Sequence, residues 1–262
     1  MNARWIELDG AVNVRDLGGL ATTDGRTTRF GKVLRSDNLQ NLTPRDLRTL
    51  LENYRLTDVV DLRSRTEVDL EGPGPLTRVP QVTIHHLSLF AESGRHTDVT
   101  ADTLDTDKVL PWQTHPSAAG PDRPVEHYLG YLRDRADSVI AALRVMARTR
   151  GAAVVHCAAG KDRTGVVCAL ALDAVGVRRD HIIADYTATG LRLQAILARL
   201  RASGTYAADL DSRPADSHLP QATTMEKFLT VLDERFGGTL GWLAEHGWRD
   251  GDTAALRESL LI

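Results

Sequence analysis

Two cysteines occur in the 262 residues, and one of them stands where a thiol could do chemistry. Cys157 is followed by Ala158-Ala159-Gly160-Lys161-Asp162 and then by Arg163-Thr164-Gly165. Gly151 to His156 before it reads as a buried strand, and Val166 to Leu172 after it as an apolar helical run. A strand-loop-helix junction aims backbone N–H groups and the positive end of a helix dipole into one small cavity, which favours an anion. Ala158, Ala159 and Gly160 carry little side chain, so a phosphate could approach that backbone closely.

The helix N-terminus and Arg163 would both favour a thiolate at Cys157. A thiolate is what attack on phosphorus requires. Arg163 can hold two phosphate oxygens at once, remains charged at any working pH, and would stabilise the transition state. Thr164 offers a hydroxyl to the sulfur, and Lys161 adds a second cation. The expected phosphate site is therefore Ala158, Ala159, Gly160, Lys161, Thr164 and Gly165 around Cys157 and Arg163. His156 is expected to have a structural role, bonding backbone near the nucleophile. Three aspartates compete to protonate the leaving oxygen. Asp162 lies within the loop, Asp122 sits in Gly120-Pro-Asp-Arg-Pro124 upstream, and Asp61 ends an apolar run. The ordinary role of Asp61 would be a salt bridge to Lys161 or an arginine.

The elements that must position these residues follow from periodicity. Val33-Leu34-Arg35, Thr57 to Leu62, Val82 to Leu89 and Gly151 to His156 read as strands. Thr43-Pro44 looks like an N-cap with proline at the first helical position, opening a helix to about Tyr54. A helical stripe runs from Val125 to Met146, and Asp180 reads as the cap of another helix reaching Leu200. Two more helices are expected near Thr224 to Phe236 and Thr253 to Leu261. Strands alternating with helices predict an α/β domain with a central, largely parallel sheet flanked by helices. Residues 91–124 and 203–220 are polar and broken by Gly and Pro; each is an irregular insertion, either a lid or plain surface. Cys168, inside the helical run, reads as a small core hydrophobe too far along its helix to pair with Cys157. Arg15, Asp16, Arg35 and Arg63 sit in apolar contexts and read as buried ion pairs fixing the N-terminal segment, with Arg63 also a candidate for the cavity rim.

With 42% hydrophobic and 26% charged residues, the chain can bury one large core, read as a single domain over 1–262. A net charge of −3 with mixed signs argues against nucleic acid as a partner. No apolar run is long enough for stable membrane insertion, and the first residues lack a secretory apolar stretch, so a cytoplasmic protein is expected. Secretion without such a segment would leave no trace in the sequence.

The loop, Cys157 with five residues before Arg163 and then Thr164, resembles the signature of the protein tyrosine phosphatase superfamily. The fuller string His156 to Gly165 is similar to a bacterial subfamily of tyrosine, dual-specificity and phosphoinositide phosphatases. Asn13 to Gly19, Leu34-Arg-Ser36, Thr57 to Ser64, Ile183 to Tyr186 and Gly237 to Leu243 share that likeness, which thus spans nearly the whole chain. The resemblance implies a phosphatase fold, a metal-independent reaction without cofactor, and Asp162 as the acid, with Asp61 in support. Asp122 stands third, although other tyrosine phosphatases carry their acid on an upstream loop. Lys161 also resembles the lysine-containing loops of tensin-homologue phosphoinositide phosphatases. Expected partners are phosphorylated proteins, a lipid headgroup or a small-molecule phosphate such as a nucleotide or sugar phosphate. Aromatic residues are few, at 5%, and no stacking platform for phosphotyrosine stands out.

Other classes fit less well. A rhodanese-type sulfurtransferase would have a shorter loop without Gly160 to Gly165. The low-molecular-weight phosphatases place their cysteine near the N-terminus. A binding module without turnover would usually lack the cysteine, arginine or acid. A metallophosphatase would need spaced histidines with carboxylates, whereas the adjacent His85 and His86 on a strand point to opposite faces.

Overall fold

The computed structural model describes residues 4–72, 74–91, 123–207, 210 and 215–262. Among the described residues, five strands form one sheet: β1 (Arg15–Asp16), β2 (Val33–Ser36), β3 (Leu56–Asp61), β4 (Thr83–His86) and β5 (Ala152–His156). Their order is β1-β2-β5-β3-β4. Only β1 is antiparallel to its neighbour; β2, β5, β3 and β4 run parallel. The largely parallel α/β sheet expected from the alternation of elements is therefore present.

Strand alternation divides the apolar residues between two cores. Val155 of β5 and Val60 of β3 face one core with Val166, Val167, Leu143 and Phe228. Val154 and Val59, one residue away, face the other with Leu34, Leu50 and Leu76. Because both faces are covered, β5 is buried at every position, as a central parallel strand requires.

Thr43 caps α1 (Pro44–Arg48) through a reciprocal capping box with Asp46, and a π-helical turn over Thr49–Asn53 extends it. Ser64 and Glu67 form the same device at the start of α2 (Arg65–Glu71). The single stripe read from Val125 to Met146 is two helices, α3 (Arg123–Asp134) and α4 (Ala136–Arg148). Arg135, at φ −140°, leaves helical geometry between them. The helix after the Cys157 loop is α5 (Asp162–Ala174). Asp180 is not the cap of the next helix. Arg178 takes that position for α6 (Arg179–Ala188), with Asp180 in the first turn, bonded to the Arg178 guanidinium. A 3₁₀ turn over Thr189–Arg192 then leads into α7 (Leu193–Ala202). α8 (Ala222–Phe236), α9 (Thr239–Glu245) and α10 (Asp250–Leu260) close the chain. No helix among the described residues is long and apolar enough to cross a membrane.

Cys168 lies within α5 at 1% exposure, and burial pushes its thiol up to about 12. It forms no disulfide with Cys157; its role is packing.

Candidate active site

Parallel register brings the C-terminal ends of three strands to one level. Ser36 of β2 and Asp61 of β3 are the partners of His156 on β5. Cys157 follows immediately, beyond the carboxyl ends of the strands, where α/β proteins place their sites. It lies on the wall of a cavity of about 290 Å³ shared with Ala158, Ala159, Lys161, Asp162 and Arg163. Only 2% of Cys157 is exposed.

The loop's shape is fixed from outside. The N–H of Asn38 donates to the Ala158 carbonyl at 2.9 Å. The Asn13 amide donates to the carbonyls of Ala159 and Gly160 at 3.0 and 3.2 Å, and Arg35 donates to Gly160 O at 2.7 Å. Three successive carbonyls are thus engaged on the outer side. Among the described residues, no acceptor takes the N–H groups of Ala158, Ala159, Gly160 or Lys161. Such a run of unused donors at a helix N-terminus makes an anion cradle. Gly160 is needed for the turn: its φ is +67°, and a Cβ there would lie 2.4 Å from Ser36 O.

The anchors belong to one buried ion cluster. Asp185 on α6 receives Arg35 at 2.6 Å and Arg15 at 3.2 Å, and also pairs with Arg4. Burial alone would raise the Asp185 carboxyl, but Arg15, Arg35 and Arg4 together hold it well below the usual range. Arg15 and Arg35 are therefore ion-paired as expected, and they attach the N-terminal segment to the loop. Asp16 instead accepts from the N–H groups of Gly18 and Gly31.

Arg163 is held by Glu67, a residue the sequence reading did not single out. Its two terminal nitrogens meet the two carboxylate oxygens at 2.6 and 2.9 Å, in the bidentate geometry that gives guanidinium its directional strength. Glu67 has no exposed surface. Burial pushes its carboxyl up, and the charge and hydrogen bonds of Arg163 more than reverse this, leaving it below its ordinary value. Glu67 Oε1 also accepts from Tyr206 Oη at 3.1 Å. The same carboxylate that closes the Ser64 helix cap grips a loop 96 residues away, a pairing the sequence does not mark.

Asp162 Oδ1 accepts from Tyr128 Oη at 2.6 Å, and Oδ2 lies 3.6 Å from Lys161 Nζ. Asp162 borders the cavity. Asp61 does not: its carboxylate is taken by Arg63 at 2.5 and 2.9 Å and faces His156 at 3.6 Å. Burial raises the Asp61 carboxyl, and His156 and Arg63 outweigh that and lower it. Arg63 is spent on this pair and is not on the cavity rim. His156 is completely buried and pushed down to about 4, chiefly by desolvation. It faces the Cys157 carbonyl at 3.3 Å, in keeping with a structural role. Asp122 lies outside the described residues.

Three further expectations need adjusting. Among the described residues the buried Thr164 hydroxyl has no hydrogen-bond partner, and it makes no bond to the sulfur. Gly165 sits behind the cradle rather than in it. Its N–H donates to Lys161 O, and a Cβ there would meet the Tyr186 ring at 2.9 Å. An aromatic wall also exists, although composition did not reveal one: Phe90, Tyr128, Tyr131 and Tyr206 line the cavity. The Arg163 guanidinium lies 4.9 Å over the Phe90 ring. Leu193, Ile196, Leu197 and Leu200 of α7 add an aliphatic lining, packed with Tyr206. Of the two irregular stretches, 92–122 lies outside the described residues. The described part of 203–220 closes one side of the cavity, where Lys161 Nζ donates to His218 O at 2.9 Å.

A thiol beneath a cradle of unused N–H groups, with a clamped arginine beside it, defines a cysteine-dependent phosphatase. The chain belongs to the tyrosine phosphatase family, whose model matches residues 6–262. It is 30% identical to the triple specificity protein phosphatase PtpB of Mycobacterium tuberculosis, over 97% of this chain and 98% of that one. Identity to the tyrosine-protein phosphatase of Nostoc commune is 27%, over 87% of this chain and 73% of the relative.

Proposed function

We propose that the chain, acting as one domain over residues 1–262, hydrolyses phosphomonoesters through a cysteinyl-phosphate intermediate. The Cys157 thiolate attacks phosphorus and forms the S–P bond as the ester P–O bond breaks. Asp162 gives its proton to the departing oxygen. Water then attacks phosphorus, its proton passes to the Asp162 carboxylate, and the S–P bond breaks to return thiolate and inorganic phosphate. Arg163 and the N–H groups of 158–161 hold the phosphoryl oxygens throughout, and their fixed orientation is what makes them effective. The observation that carries this reading is the outward anchoring of the carbonyls of Ala158, Ala159 and Gly160 around Cys157.

Phosphotyrosine, phosphoserine and phosphothreonine proteins are the proposed substrates, with phosphoinositides a further class. The triple specificity named for the mycobacterial relative supports that breadth, and the aromatic and aliphatic walls of the cavity suit an apolar group behind the phosphate. The test is phosphate release, with EDTA present, from phosphopeptides, phosphoinositides, nucleotides and sugar phosphates. Wild type should turn over and Cys157→Ser should not. Equal activity in Cys157→Ser would end the thiol mechanism, and preference for nucleotides or sugar phosphates would replace the substrate class.

A further inference from the structure

The loop aspartate is held by a chain of two phenols from helices remote in sequence. Tyr128 Oη of α3 donates to Asp162 Oδ1 at 2.6 Å, and Tyr186 Oη of α6 lies 2.8 Å from Tyr128 Oη. Both tyrosines are buried, at 1% and 3% exposure. Their rings are wedged in place: Tyr128 packs edge-on against Tyr186 and Phe228, and the Tyr186 ring occupies the space left by the missing side chain of Gly165. An ionised carboxylate can only accept. The proton of Tyr128 therefore points at Asp162, and that of Tyr186 points at Tyr128.

The geometry points to Tyr128 as a positioning residue for Asp162, with Tyr186 supporting it, so that the transferable proton resides on Oδ2. This rests on the proposed role of Asp162 as acid. With Oδ1 committed to a phenol donor, a protonated Asp162 carries its hydrogen on the other oxygen, the one on the side of Lys161. When that proton passes to the leaving oxygen, the new carboxylate keeps the Tyr128 bond and gains charge against it, so the bond strengthens as the ester breaks. The same bond holds the carboxylate in place to accept the proton of the attacking water. Burial first, and then the charge of Asp162, push the Tyr128 phenol well above its ordinary value, so it remains a donor throughout the working range.

Among the described residues, the other charged and titratable groups around Asp162 cannot take over this task. Lys161 is 3.6 Å from the opposite oxygen and shares its ammonium with His218 O. Arg163 is paired with Glu67. Tyr131 is half-buried, its ring packed edge-on against Phe90 and beside Tyr128. Arg123 and His127 also border the cavity, and they remain unchanged in the variants below.

The test is Tyr128→Phe and Tyr186→Phe, which keep both rings. The pH profile of kcat/KM is measured with p-nitrophenyl phosphate and with phenyl phosphate, whose leaving group needs protonation far more. A donor to a carboxylate favours the ionised form, so its loss should move the descending limb to higher pH, by about one unit for Tyr128→Phe and less for Tyr186→Phe. At the optimum, kcat should fall about tenfold or more with phenyl phosphate and only slightly with p-nitrophenyl phosphate. An unmoved limb, with equal losses on both substrates and unchanged thermal unfolding, overturns the assignment. Asp162→Asn separates the two levels. If it abolishes the limb while Tyr128→Phe leaves it in place, only the positioning role falls. If Asp162→Asn keeps the wild-type limb, the acid assignment falls and takes the positioning role with it.

Discussion

Replacing Glu67 by Gln preserves the volume of a buried side chain but removes the charge that faces Arg163. Four donors converge on the two carboxylate oxygens: both terminal nitrogens of Arg163, the N–H of Ser64 and the hydroxyl of Tyr206. A glutamine offers one oxygen and turns an NH₂ toward the remainder, so at least one donor loses its acceptor. Each orphaned buried donor costs about 1–3 kcal/mol, and an uncompensated buried guanidinium raises the total to about 3–5 kcal/mol. Against a typical domain stability of about 5–15 kcal/mol, Glu67→Gln should fold at 25 °C with a clearly lower urea midpoint. Because Arg163 also loses its fixed orientation, kcat/KM should fall by about a hundredfold, in line with losing one preorganised transition-state donor. Urea unfolding and phosphatase kinetics on the same preparation measure both effects. Arg163→Gln in the Glu67→Gln background should add less destabilisation than it does alone, with a coupling of about 1–3 kcal/mol. Additive losses, or a Glu67→Gln variant with wild-type turnover, would refute the idea that this carboxylate orients the phosphate-binding arginine.

Gly160→Ala should combine the cost of a left-handed φ of +67° with a Cβ only 2.4 Å from Ser36 O. The expected result is a loss of about 2–4 kcal/mol and a large drop in vanadate affinity; unchanged vanadate inhibition would contradict the tight turn. Stability should decline in two stages as pH falls. His156, held at about 4 in the fold against an ordinary 6.5, binds its proton more readily when unfolded, so stability falls from about pH 6.5 toward 4. Asp61, Asp185 and Glu67 have lowered folded values, so their contribution is present above the ordinary carboxylate range and lost as pH falls through and below it. Urea midpoints across pH measure this, and Asp185→Asn should be less stable at neutral pH with a flatter acid dependence. A variant as acid-sensitive as wild type would remove Asp185 from that account.

What the sequence by itself determined is what short chain segments determine. The strand from Ala152, the turn after Cys157 and the helix from Asp162 are specified by residues within a few positions of one another, because burial periodicity and small-residue turns act locally. The spacing of Cys157 and Arg163 follows from the same span. The cap at Thr43 was legible for that reason too. Other features required the whole structure. Glu67 grips Arg163, Asn13 and Arg35 fix the carbonyls of Ala159 and Gly160, and Tyr128 and Tyr186 meet at Asp162 only because α2, the segment before β1, β2, α3 and α6 converge at the carboxyl end of β5. Even the division of the Val125 to Met146 stripe into two helices depends on Arg135, whose guanidinium reaches Phe90 O, Asp137 and Ser138. A carboxylate or a phenol carries no mark in sequence of which distant donor it will meet. Its partner is chosen when burial forbids an unpaired polar group and packing leaves one neighbour within reach.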